Sequence, residues 1–406
     1  MTTARLSDLI SDARSGFASG KSDPTGIFQI RMNNVTRAGR WDLSKRRYVP
    51  LDEKSLDRFS LAAGDVLFNA TNSPDLVGKT ALVDQLDEPT VFSNHFLRLR
   101  ADTTRLNPQY LARWLQLQFK RGTFSAICQR WVNQAAVPRD RLLALTVPLP
   151  PLDEQRRVAR ILDATDALRA MRRAAMSQAQ ELKEAMFVST FGEHRQSPIT
   201  VGERLEKHPR GWRWELLTDV AQLATGHTPD RGRAEYWNGG IPWITLTDIR
   251  GLDGKTALQT SETLSHEGIR RSSAVLLPPE TVCLSRTASV GFVTMAAREL
   301  TTSQDFVNWI CGATLDPTYL LHAFRRSRDR LRALSNGSTH KTIYFATVER
   351  FRVLVPPVRL QREFARQVES LARVESRQQA HLLEVDALFD ALQSRAFAAE
   401  RRAAGD

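Results

Sequence analysis

The chain has 406 residues, 42% of them hydrophobic, and 57 Lys and Arg against 45 Asp and Glu give a net charge of +12. This length suits two to four domains of about 100–200 residues, and the charge favours a polyanionic partner, most simply nucleic acid. No run of about 18 apolar residues can span a membrane, the start "MTTARLSDLISDARSG" lacks the apolar centre of a secretory signal, and Cys128, Cys283 and Cys311 fit neither a disulfide framework nor a zinc site; a cytoplasmic setting is expected.

Taken in order, the elements come twice. "GIFQIRMNNVTRAG" (26–39) predicts a short strand and a polar turn, and "GDVLFNATNSPDLVGKTALV" (64–83) a strand, a polar loop, a Val-Gly and a second strand. "SNHFLRLRAD" (93–102) is another strand, and in "LNPQYLARWLQ" (106–116) an Asn-Pro pair caps a short amphipathic helix. "NQAAVPRDRLLALTVPLPP" (133–151) ends the module with a last strand and a proline stop. The second copy follows in the same order: "GIPWITLTDIRGLDG" (240–254), "ETVCLSRTASVGFVTMA" (280–296), "SQDFVNWICGA" (303–313), "LDPTYLLHAFR" (315–325) and "HKTIYFATVERFRVLVPP" (340–357).

A long helix follows each proline stop. In the first, Val158, Ile161, Thr165, Leu168, Ala175, Ala179, Leu182 and Met186 form a three-four stripe, interrupted at Arg172; in the second, Phe364, Val368, Leu371, Gln378, Leu382, Val385, Phe389 and Leu392 do the same. Each run is about 38 residues, roughly 57 Å of helix, too long to bury its stripe in one small module, so the two are expected to pack together. Pro148, Pro150 and Pro151 cannot continue a helix and stiffen the approach to the next one. The domains expected are a first module over 1–149, a first long helix over 150–192, a second module with its leading linker over 193–355, and a second long helix over 356–402. The fold class is α+β: two similar modules of mixed β-sheet with short helices, joined by two long helices. Strand order is left open.

If the polyanion is DNA, base readout needs side chains that donate or fork from loops near the grooves. In the first module the candidates are Asn33, Asn34, Arg37 and Arg40; Asn69, Thr71 and Asn72; and Gln129, Arg130, Asn133 and Gln134. In the second they are Thr225, His227, Thr228, Arg231 and Arg233; Thr247 and Arg250; Ser285, Arg286 and Thr287; and Asn336, Ser338, Thr339 and Lys341. Asn and Gln suit adenine, Arg and Lys suit guanine, and Ser and Thr are permissive. Lys45, Arg46, Arg47, Lys120 and Arg121 fit phosphate contacts, which position without specifying. Trp212, Trp214, Trp237 and Trp243 crowd the start of the second module and are expected to pack in its core rather than to stack on bases.

Recognisable catalytic motifs are missing. Gly78-Lys79-Thr80 resembles the tail of a phosphate loop, but Ser73 stands where the loop's first Gly belongs. Asn107-Pro108 and Asp316-Pro317 lead into Gln-Tyr and Thr-Tyr, unlike an adenine-methyltransferase motif, and no HExxH or CxxC is present. Glu181-Leu182-Lys183 has nuclease-like local spacing but lies on the first long helix, where an ion pair at its surface is expected. No metal or cofactor site is predicted.

These pieces, in this order and twice over, resemble the DNA-specificity subunit of type I restriction-modification systems. "PLPPLDEQRRVARIL" (148–162) is similar to that family's Pro-Pro-x-x-Glu-Gln start of its spacer helix, and "WELLTDVAQLATGHTPDRGRAEYWNGGIPWITLTDI" (214–249) to the opening of its target recognition domains. "GSTHKTIYFATVERFRVLVPPVRLQ" (337–361) resembles the closing segment, although "VRLQREF" lacks the Glu found at Glu154. The resemblance implies a non-catalytic subunit whose modules each read half of a split site in double-stranded DNA. Its long helices would run antiparallel as a ruler between the halves. Two methyltransferase subunits would dock on them and carry the S-adenosylmethionine, and restriction (translocase and nuclease) subunits would join that core. The other readings are a stand-alone nuclease or DNA-modifying enzyme with similar recognition modules, and a scaffold whose modules no longer read DNA.

Overall fold

Val66–Asn69 is buried at every position and Phe96–Ala101 at all but one, so both strands must lie inside a sheet rather than at its edge. In the computed structural model, which describes residues 2–192, 197–202, 208–337 and 341–398, they do. The order is Ile10–Ser15, Phe96–Ala101, Val66–Asn69, Thr80–Leu82, antiparallel throughout. The second copy repeats it as Ala221–Thr225, Phe306–Cys311, Val282–Ser285, Val293–Ala296, with Thr256–Ala257 added in parallel. A second layer recurs too: Ile27–Ile30 runs parallel to Thr90–Phe92, and Trp237–Ile244 to Thr301–Thr302. A third pairing closes each module, Thr3–Arg5 on Thr146–Pro148 and Arg213–Leu216 on Arg352–Val355.

The Asn/Asp-Pro caps form as the sequence predicts. Asn107 accepts from the Tyr110 N–H at 2.9 Å and Asp316 from the Thr318 N–H at 2.9 Å, with Pro108 and Pro317 in the first turn, where a missing N–H costs nothing. Each helix buries an aromatic-rich face against its own sheet, with Tyr110 and Trp114 in one copy and Tyr319 and Phe324 in the other.

The chain divides into two compact units, Met1–Arg173 with Ala380–Asp406, and Ala174–Gln379. Each unit holds one module, the first half of the helix that leaves it, and the last half of the other long helix. The long helices are Leu152–Phe191 and Val358–Ala396. In the first unit they run antiparallel: Arg169 pairs with Asp386, and Arg172 lies 3.5 Å from His381. In the second, Lys183 pairs with Glu375, while Phe187 and Phe191 pack on Phe364 with ring centroids 5.5 and 5.2 Å apart.

One glutamine fixes each helix to its module. Gln155 Oε1 accepts from the Asn107 N–H at 2.8 Å, and its Nε2 donates to the carbonyls of Arg105 and Pro150 at 2.9 and 2.8 Å. Gln361 does the same with the Asp316 N–H at 2.8 Å and the carbonyls of Thr314 and Pro356 at 3.1 and 2.6 Å. Tyr110 and Tyr319 donate to the carbonyls of Pro148 and Leu354 in the same joint. These hydrogen bonds tie the proline stop, the short capped helix and the long helix together in each copy.

The expected stripe is right for one helix and displaced for the other. Phe364, Val368, Leu371, Gln378, Leu382, Val385, Phe389 and Leu392 are all buried or half-buried. On the first helix the inward row is Ala159, Leu162, Asp166, Arg169, Met176, Gln180, Lys183 and Phe187, one residue on from the expected one. Ile161, Leu168 and Leu182 are left 37, 37 and 49% exposed. The cause is charge pairing. Asp166 meets Arg40 at 3.2 Å and Arg113 at 3.5 Å, Arg169 reaches Asp386, and Lys183 reaches Glu375. Apolar periodicity cannot register such contacts. Lys183 thus forms an ion pair, as expected, but a buried one.

His322 lies between Phe187 and Phe364, ring centroids 6.4 and 5.1 Å away, and its Nδ1 has no hydrogen-bond partner among the described residues. Burial first, then Arg325 and Lys183, pushes its pKa down from 6.5 to about 3. The unfolded chain binds the proton below about pH 6.5 and the folded one does not, so the contribution of His322 to stability falls as pH drops from 6.5 towards 3. Urea titrations at pH 7.5 and 5 should show this loss in the wild type and a smaller one in His322→Leu.

Candidate nucleic-acid interface

Both modules turn their chain through the same four-residue corner, Ser93-Asn94-His95-Phe96 in the first and Ser303-Gln304-Asp305-Phe306 in the second. Around the first corner, Ser93 N–H donates to Ile30 O at 2.9 Å, Asn94 N–H to Phe17 O at 3.2 Å, and Thr71 N–H to His95 O at 3.2 Å. Around the second, Ser303 N–H donates to Ile244 O at 3.0 Å, His227 N–H to Thr302 O at 2.9 Å, and Arg286 N–H to Asp305 O at 2.8 Å. Three separate polar loops are thereby brought to one end of each sheet. Asn94 and Gln304 are exposed at the centre, each between a buried serine and a half-buried residue, His95 or Asp305. Neither was among the candidates. The signal was available: in the aligned repeat, both copies place an amide side chain there.

A small β-finger stands beside each corner. In the first unit Gln129–Arg130 pairs with Ala135–Ala136, which pairs with Thr71–Asn72. Two candidate loops, about 60 residues apart in sequence, thus form one structure. Gln129, Arg130, Asn133 and Gln134 are exposed on it, and Thr71 and Asn72 are half-buried at its base. In the second unit Thr342 bridges both Thr287 and Asn336, and exchanges two hydrogen bonds with Asn336 at 2.9 and 3.0 Å. Thr287, Asn336 and Lys341 meet there, while Ser338 and Thr339 lie outside the described residues. Thr228 donates to Gln304 Oε1, and Arg286 Nη2 to Gln304 O at 3.0 Å, so the loop after Thr225 belongs to the same cluster. Burial holds the Arg286 pKa below its ordinary value, and its guanidinium lies 4.5 Å from the Phe345 ring centroid.

Three candidates are structural. Asn34 is buried and accepts from Arg31 N–H while donating to the carbonyls of Asp42 and Lys45 at 2.8 and 2.9 Å. Asn69 is buried, donates to the carbonyls of Thr71 and His95, and accepts from Asn72. Ser285 is buried and donates to Thr287 O. Their short polar side chains satisfy turn backbones, a use that composition cannot separate from base reading.

Others are only partly available. Arg40 is tied to Asp166, and Arg37 to Asp75 in an exposed pair at 2.6 Å. Arg231 pairs with Glu262 and lies over Trp237 and Trp243, 4.1 and 4.9 Å from the ring centroids. Arg233 is exposed between Asp230 and Glu235, and Asn33, Thr225, Thr247 and Arg250 are exposed as well. Among the phosphate candidates, Lys45 and Arg121 are exposed, Lys120 pairs with Asp390 at 2.6 Å, Arg46 pairs with Glu88, and Arg47 donates to the carbonyls of Ser19 and Lys21. Trp212 and Trp243 are buried and Trp214 and Trp237 half-buried, in keeping with packing.

The lysine of Gly78-Lys79-Thr80 points into the module. It is 6% exposed, and Nζ donates to the carbonyls of Met32 and Val35. No group of three or more metal-ligating side chains is assembled among the described residues, and no helix there is long and apolar enough to cross a membrane.

The type I restriction modification DNA specificity domain matches this sequence twice, at residues 19–176 and 209–384. The chain belongs to that family. It is 22% identical over 379 residues to a Methanocaldococcus jannaschii chain named for the specificity subunit of the type I restriction enzyme MjaX, covering 90% of this chain and 85% of the other. A crystal structure of a type I restriction-modification system S subunit from M. genitalium shares the fold with a TM-score of 0.63 at 12% identity, over 98% and 96% of the two chains. A chain solved in work on complex assembly and conformational transition of the type I R-M system gives 0.54 at 20%, over 98% and 97%. In this specificity chain, the corner and finger recur in both modules while the side chains they carry differ.

Proposed function

We propose that this specificity subunit reads a bipartite site in double-stranded DNA, one half per module, and leaves the chemistry to docked partners. The observation that carries this reading is the repeated corner and finger. Among the described residues the backbone pairing around them is alike in both units, and the residues there are Asn94, Gln129, Arg130, Asn133 and Gln134 in one and Gln304, Arg286, Thr287, Asn336 and Lys341 in the other. Two copies of one frame with different polar side chains suit two different half-sites. The basic excess supplies the non-specific phosphate term.

The long helices serve as spacer and platform. The exposed Ile161, Leu168, Met171 and Leu182 on the first helix, with Val374, Leu383 and Leu388 on the second, leave apolar surface for partner subunits to cover. Two methyltransferase subunits docked there, which carry S-adenosylmethionine, and restriction subunits beyond them complete the assembly. The chain is non-catalytic and has no cofactor of its own.

Two results test this. The purified chain alone should neither cut nor methylate DNA when S-adenosylmethionine, Mg²⁺ and ATP are added; activity in isolation supports the stand-alone enzyme instead. Exchanging residues 193–355 for another specificity subunit's second module should change one half-site and spare the other, scored by mapping methylated bases genome-wide. A change in both halves ends the idea of independent reading.

A further inference from the structure

Of the eight tryptophans, all of them described, seven are buried or half-buried. The eighth, Trp131, is 58% exposed, and its neighbour Val132 is 98% exposed. They form the tip of the first unit's finger. This segment is not slack. Trp131 N–H donates to Gln134 O at 2.7 Å, and Gln129 and Arg130 pair with Ala136 and Ala135. Ala135 is fully buried in the module core, and the Arg130 guanidinium holds Ser125 O and Oγ at 2.9 and 3.0 Å. A rooted, hydrogen-bonded hairpin therefore presents an indole and a branched aliphatic side chain to solvent.

The surroundings indicate what covers them. From Lys120 to Arg141 the chain has five basic residues and one acid, Asp140. A polyanion fits that balance better than a protein surface does. The flanking Gln129, Asn133 and Gln134 are exposed hydrogen-bonding side chains, and the finger's base carries Thr71 and Asn72. Apolar and aromatic groups amid such side chains are what DNA wedges and base-stacking platforms use: they enter a base step, unstack it and bend the duplex. The corresponding stretch of the second unit, "GSTHK" at 337–341, has no large apolar residue, so the device belongs to one module only.

We infer that Trp131 and Val132 form an apolar wedge that enters the DNA at the first module's half-site, with the indole stacked on a base of an opened step. This rests on the reading of the chain as a DNA-specificity subunit. A flexible pyrimidine–purine step there costs least to open.

The test uses the full chain assembled with its methyltransferase subunits, on a duplex containing the site whose methylation depends on this chain. 2-Aminopurine replaces each purine of the first half-site in turn. Binding should change the probe's fluorescence at one step with the wild type and with Trp131→Phe, but not with Trp131→Ala. Trp131→Ala should weaken binding to this duplex by about tenfold or more, and probes in the second half-site should respond alike in all three proteins. Wild-type affinity and probe response in Trp131→Ala would overturn the wedge. So would loss of methyltransferase assembly, by sedimentation, with the chain's own DNA affinity unchanged; the tip would then be a protein contact. If the wild-type assembly fails to distinguish this duplex from a scrambled one, the specificity reading itself falls, and the wedge with it.

Discussion

Gln155→Ala should destabilise the first unit, and Gln361→Ala the second, by about 3 kcal/mol or more. Each substitution removes three hydrogen bonds and strands one N–H and two carbonyls in a joint where the glutamine itself is fully buried. An unsatisfied buried polar group costs about 1–3 kcal/mol, so even with partial relaxation the sum is large beside the 5–15 kcal/mol that typically holds a domain together. Glu154→Leu is the control. Glu154 pairs with Arg157 at the surface, and Leu360 already stands at its position in the second copy, so the change should leave stability nearly unchanged. Urea unfolding followed by circular dichroism measures all three. Equal effects from Gln155→Ala and Glu154→Leu would mean that the prolines alone set the joint.

Lengthening both long helices should lengthen the gap between half-sites without altering either half. Seven residues inserted after Arg173 and seven after Gln379, where the compact units part, add two helical turns and roughly 10.5 Å while keeping each stripe in phase. At about 10–10.5 base pairs per 34–36 Å of duplex, the new site should carry about three more base pairs in its spacer. Five-residue insertions are the contrasting case, because they rotate the far half of each helix and misalign pairs such as Arg169–Asp386. Those proteins should lose methylation altogether. Methylome maps of strains carrying each variant decide the matter, and an unchanged spacer in the seven-residue variant would remove the helices from the role of ruler.

The fold class and the duplication were legible because they rest on strong local signals: proline stops, Asn/Asp-Pro caps and the order of strands and loops. The second helix's stripe was legible for the same reason, since Phe364, Leu382 and Phe389 are both apolar and inward. The first helix misled because Asp166, Arg169 and Lys183 face inward on the strength of partners more than 180 residues away or on another element. The candidate loops were found, but their members were not sorted. Nothing local marks Asn34 as the residue that ties Asp42 and Lys45 together, while Asn33 beside it stays exposed. Asn94 and Gln304 needed the alignment of the copies, and nothing local separates Trp131, exposed at a hairpin tip, from a tryptophan that packs in a core.

The first unit's core begins at Leu6 and includes Phe389 and Phe397, with the Phe397 ring 5.0 Å from that of Tyr110. During synthesis, then, the module made first cannot finish packing until Phe389 and Phe397 have been made and have left the ribosome. In the interim the part of its core that Phe389 and Phe397 cover, Tyr110 included, lacks its apolar neighbours, the state in which partly made proteins associate wrongly or call on chaperones. A chain stopped short of that last turn would carry both reading surfaces and still lack the means to keep the earlier one folded.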